Sequence, residues 1–107
     1  MTLSELLEQL KTTGYNVAYS HFKEKTAPPF ITVLRTEDIN ISSDFKVLGT
    51  IRTYLIELYT QNKELEAEAK VEDILAVIDT EYQTTESYID SEKLYQIVYR
   101  VSLIERR

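Results

Sequence analysis

Residues 51–59, IRTYLIELY, decide the fold class of this 107-residue chain. Laid out as a strand, Tyr54, Ile56 and Leu58 point to one face, and Ile51, Leu55 and Tyr59 point to the other. A strand that is apolar on both faces needs two covers. One modest domain has few elements to supply the second, so a sheet face buried against other copies or partners is expected. The candidate subunit-interface residues are Ile51, Leu55 and Tyr59.

Other segments fit around this central strand. Thr2 and Glu5 have capping-box spacing, Leu3, Leu6, Leu7 and Leu10 form one stripe, and Gly14 stops the first helix. A strand is predicted over 15–22, followed by the loop HFKEKTAPPF, where Pro28 and Pro29 cannot continue a ladder. The run 30–36, FITVLRT, is strongly β-prone. In 37–49, Ile39, Ile41, Phe45 and Val47 alternate with polar residues around Ser42-Ser43-Asp44. This segment is expected to be a protruding hairpin or a partly ordered, mobile arm, and those four residues are its candidate assembly contacts.

A second helix is predicted over 63–79, with Leu65, Val71, Ile74, Leu75 and Ile78 inward and its acids in water. Strands follow over 84–89 and 93–104. In the last, Tyr95, Ile97, Tyr99, Val101 and Leu103 make one apolar face opposite Gln96, Arg100 and Ser102. The order α-β-β-β-α-β-β predicts a single α+β domain, helices layered on a largely antiparallel sheet.

Composition narrows function. Without cysteine, disulfides and thiolate metal sites are excluded. The first residues, MTLSELLEQLKTT, place acids among leucines, unlike a signal peptide or membrane span. A net charge of −6 disfavours a nucleic-acid groove, since phosphate affinity comes from Lys and Arg, but it does not exclude contact with passing DNA, because a repelling wall is also a function.

The chemistry-bearing residues are sparse. His21 is the one histidine, so a zinc site would need an unusual all-carboxylate remainder. Ser42 and Ser43 have no histidine in local register, the glutamates of the second helix form a solvated face, and isolated Gly14 and Gly49 make no phosphate loop. No cofactor, metal or catalytic residue is expected. Six of eight tyrosines fall at Tyr54 and beyond, where few basic residues surround them; sheet core mixed with a protein interface is their expected role.

Three stretches carry a resemblance: PPFITVL (28–34), DFKVLGTIRTYLIELYTQNKELEAEAKVEDIL (44–75) and ESYIDSEKLYQIVYRVSL (86–103). Their order and spacing resemble the small neck and tail proteins of long-tailed bacteriophages and prophages of Gram-positive bacteria. Pro28, Pro29 and Phe30, residues 56–60, 63–66 and 91–95 are the matching positions. The resemblance implies a tail terminator or tail-completion protein of the virion neck, assembled in the host cytoplasm. Such a protein forms a ring, commonly a hexamer, that caps the tail tube and joins the head-side connector. Its partners would be further copies of itself, the tail tube protein and the connector, with no specific nucleic-acid or membrane binding. Two other readings of the residues stay open. One is a free-standing regulatory or inhibitor module using the same sheet face. The other is a small-molecule enzyme built on His21 with Tyr or Glu partners.

Overall fold

A computed structural model describes residues 1–44, 46–78 and 80–106. The elements are α1 (Leu3–Lys11), β1 (Asn16–Tyr19), β2 (Phe30–Ser43), β3 (Lys46–Thr60), α2 (Leu65–Ile78), β4 (Tyr82–Ile89) and β5 (Leu94–Arg106). The strands form one sheet in the order β1-β2-β3-β5-β4. Among the described residues only the β1–β2 pair is parallel; the other three pairings are antiparallel. The α+β architecture with this element order is therefore the one expected, and IRTYLIELY lies in β3, the middle strand.

Alternation along the strands sends one residue set toward the helices. Ile31 and Val33 of β2, Tyr54, Ile56 and Leu58 of β3, and Ile97, Tyr99, Val101 and Leu103 of β5 are buried there. Leu6 and Leu10 of α1 close over them with Ala67, Val71, Ile74 and Leu75 of α2. Each fully buried Leu, Ile or Val contributes about 1.5–3 kcal/mol of transfer free energy, so this layer holds the fold. The start of α1 is fixed as its sequence predicts: the Glu5 amide donates to Thr2 Oγ1 at 3.2 Å, and the Thr2 amide donates to Glu5 Oε1 at 3.2 Å. The helix stops at Thr12, and Gly14 then takes φ +88°, a conformation costly to a side-chain-bearing residue.

Several boundaries differ from the sequence expectation. β1 ends at Tyr19, because Ser20 turns to φ +69° while its amide still donates to the Val33 carbonyl at 2.7 Å. β2 and β3 run well past 36 and start well before 50, pairing from Phe30↔Tyr59 out to Ser43↔Lys46 with bulges between Arg35 and Glu37 and between Ile41 and Ser42. The ambiguous segment 37–49 is thus the distal half of a long hairpin. Phe45 lies outside the described residues. Gly49 has a definite reason to be glycine: a Cβ there would sit 2.8 Å from the Glu105 carbonyl oxygen of β5.

α2 turns its expected face inward: Val71, Ile74 and Leu75 are buried and Ile78 packs against the core. The expectation fails at the first turn, where Leu65 is 71% exposed and Ala67, one turn before Val71, is buried instead. Two of its acids leave the solvated face. Glu68 pairs with Lys63 at 2.7 Å, and Glu72 accepts from the Tyr99 hydroxyl at 3.2 Å. Burial, with Glu72 beside it, pushes the Tyr99 hydroxyl far above the usual tyrosine range.

Candidate assembly face

Both helices cover the same side of the sheet, so the opposite side is bare. Register places its side chains in cross-strand rows. Phe30–Tyr59–Gln96–Ser87 lies at one end, followed by Thr32–Glu57–Val98–Thr85 and Leu34–Leu55–Arg100–Gln83. Beyond them come Glu37–Thr53–Ser102 and, on the distal hairpin, Ile39–Ile51–Ile104. Ile51, Leu55 and Tyr59 all point to this bare side and are half-buried by their row neighbours.

The middle of the face sets Leu34, Leu55 and Val98 among polar groups that satisfy one another. Glu57 accepts from Thr32 Oγ1 at 2.9 Å and from Gln96 Nε2 at 3.1 Å; the same Gln96 nitrogen donates to the Tyr59 hydroxyl at 2.9 Å. Burial and the Glu57 charge push the Tyr59 hydroxyl above its ordinary pKa, which keeps it protonated. Arg100 Nη2 donates to Glu37 Oε1 at 2.7 Å, and the Thr53 and Ser102 hydroxyls meet at 3.1 Å.

The two ends are apolar and differ in shape. At the Tyr59 end, the 20–29 loop rises beside the sheet and the β4–β5 turn faces it, leaving an open groove of about 660 Å³. Phe22 packs edge-on against Phe30 at 5.4 Å between ring centres, and Phe30 stacks on Tyr59 at 4.8 Å. Ile89 and Leu94 complete the apolar lining. At the other end the hairpin is convex. Ile39 is 55% and Ile104 50% exposed, and Ile41 continues the row toward the tip, where Leu48 is also exposed. Of the expected arm residues, Ile39 and Ile41 lie on this apolar side, Val47 is half-buried opposite Ser42, and Phe45 lies outside the described residues.

The helix side of the same hairpin has a different character. Arg52 donates to Asp38 at 2.7 Å and to Glu105 at 2.9 Å, and Thr50 Oγ1 donates to Asn40 Oδ1 at 3.2 Å. The distal hairpin is therefore a ribbon with one polar face and one isoleucine face.

His21 is exposed on the loop after β1, with its ring Nδ1 3.2 Å from Ser20 Oγ. Ser42 and Ser43 sit at the opposite end of β2, about 30 Å away by strand rise, so the three do not converge. Among the described residues no three His, Cys, Asp or Glu side chains gather to hold a metal ion, and no helix is long and apolar enough to cross a membrane. Sequence reasoning did not single out Phe22, Ile89, Leu94 or Ile104 as part of this face. Phe22, an aromatic inside a charged loop, carried the one local signal; the others join it only through strand register.

No protein-family model and no curated protein matches the chain. Among solved structures, it is similar to a chain of the "Virion of native gene transfer agent (GTA) particle", with a TM-score of 0.68 at 10% identity, over 92% of this chain and 84% of that one. At that identity the likeness is one of fold.

Proposed function

We propose that this chain is a structural protein of a phage or prophage virion, acting as the tail terminator or completion ring between tail tube and head connector. The observation that carries the reading is a fold shared along nearly the whole chain with a component of a phage-like virion. The bare sheet face supports it independently. A closed ring needs two different patches on every subunit, one to meet each neighbour. The grooved and convex ends of this face are two such patches, and Ile51, Leu55 and Tyr59 lie along the strand that joins them. The role then rests on contact area spread over many side chains, not on a reacting group, and the −6 charge keeps the assembly from gripping DNA that passes it.

Native mass measurement across concentration, combined with complementation of a phage lacking the gene, tests this. The expected results are a discrete ring of about six copies in the manner of cyclic assemblies, and unjoined heads and tails when the protein is absent. A chain that stays monomeric at all concentrations, from a phage whose heads and tails join without it, would end the proposal.

A further inference from the structure

We propose that the convex hairpin end of one copy docks into the aromatic groove of the next copy, head to tail. This names the subunit contact of the ring and rests on the ring reading above. Four observations carry it. First, the two ends are complementary in shape and polarity. A groove of about 660 Å³, with Phe22, Phe30 and Tyr59 inside a lining whose residues are mostly polar, His21 among them, faces outward at one end, and exposed Ile39 and Ile41 project at the other. A concavity of that size lies inside the rough 300–1,000 Å³ range of sites that enclose a compact apolar group.

Second, a chain cannot fill its own groove. Phe30 and Ile41 lie on one continuous strand, about 35 Å apart by strand rise, and the molecule is 51 Å long. The occupant must come from another molecule.

Third, the charges match. The hairpin tip carries Asp44 and Lys46, and the groove rim carries Lys25, Glu24 and Glu92. Among the described residues none of these five forms an ion pair within the subunit. Asp44 toward Lys25 and Lys46 toward Glu92 or Glu24 would set the register of docking more than its affinity.

Fourth, the polar middle of the face disfavours the alternative geometry. Two copies stacked flat, face to face, would bury Glu57, Glu37 and Arg100 against another such set, a desolvation cost that end-to-end docking does not carry. End-to-end docking leaves that middle in water, and its contacts are heterologous, as ring closure requires.

The absence of cysteine makes the test direct. Ser42 at the hairpin end and Ser91 at the groove rim are both exposed, so Ser42→Cys/Ser91→Cys is expected to fold normally. With a short bifunctional thiol reagent, the double variant should give covalent species of three or more subunits, whereas each single variant should stop at two. Adding Ile41→Asp, an exposed position, should abolish the ladder without altering the fold by circular dichroism. Full-sized assemblies with no covalent species beyond dimers in the double variant would overturn the head-to-tail contact while leaving the ring intact. A ladder that survives Ile41→Asp would overturn it as well. A monomer under all conditions would remove the ring reading and this contact together.

Discussion

Ile51→Asp separates the face that holds the subunit from the face proposed to meet another. Ile51 is half-buried between Ile39 and Ile104 on the bare side of β3, touching neither helix. Replacing it removes part of one aliphatic side chain's burial, about 1 kcal/mol by the transfer scale, and the new carboxylate stays hydrated in the free subunit. In an assembled contact that carboxylate would be buried without a partner, at a cost of about 3 kcal/mol or more. Since each 1.4 kcal/mol is about tenfold in affinity, association should weaken at least about a hundredfold. Ile56→Asp, five positions along the same strand but fully buried on the helix side, should instead abolish folding. Sedimentation velocity reads the association, and a thermal melt followed by circular dichroism reads the fold. Leu55→Asp should weaken association by less than about tenfold, because Leu55 lies between the two apolar ends. Wild-type association by folded Ile51→Asp would refute the reasoning, as would unfolding comparable to Ile56→Asp. A Leu55 effect larger than that of Ile51 would point to flat face-to-face stacking.

Other consequences follow from single features. Amide exchange on the free subunit should show weak protection across Ile39, Ile41 and Val47 and strong protection at Ile56 and Leu58, because no helix covers the distal hairpin; uniform protection would contradict this. Gly49→Ala should cost about 1–3 kcal/mol in denaturant titrations, since its Cβ meets the backbone oxygen of Glu105 at 2.8 Å and neither strand can yield cheaply. Stability should fall as pH rises above about 10, the ordinary tyrosine pKa. Burial raises the hydroxyl pKa of Tyr99, Tyr59 and Tyr54 in the fold, so the unfolded chain loses these protons first. Tyr99→Phe should flatten that alkaline decline in urea midpoints measured at pH 8 and pH 11; an unchanged slope would locate the loss elsewhere.

The architecture was legible where patterns are local. Period-2 alternation in β3 and β5, the capping box at Thr2 and Glu5, and the leucine stripe of α1 each follow from neighbouring residues, and each is seen in the fold. What the sequence hid depends on distant partners. Nothing near Leu65 says that it will be exposed while Ala67 is buried; that is decided by where the first turn of α2 lies relative to the sheet. The long β2–β3 hairpin was legible only as one of two readings of 37–49, because Glu37 and Asp38 look like loop residues until Arg100 and Arg52 arrive to pair with them. The groove was illegible for the same reason: Phe22, Tyr59 and Leu94 are far apart in the chain and meet only once three strands and a loop are in place.

The distal hairpin carries the strongest argument that its isoleucines are there to be covered. α2 has 14 residues and spans about 21 Å, while β3 has 15 and spans about 50 Å. The core under the helices ends at Leu103, opposite Arg52, and the hairpin beyond lies outside their cover. Had folding alone shaped it, both faces would be polar, as exposed ribbons are when strand edges and surfaces must avoid sticking. One face is: Asp38, Asn40, Thr50, Arg52 and Glu105 form a bonded polar layer on the helix side. The other presents Ile39, Ile41, Ile51 and Ile104, which give the free subunit little stability and leave it prone to association. That asymmetry across three strands is unexplained by the subunit's own needs, and the proposed docking into a neighbour's groove accounts for it.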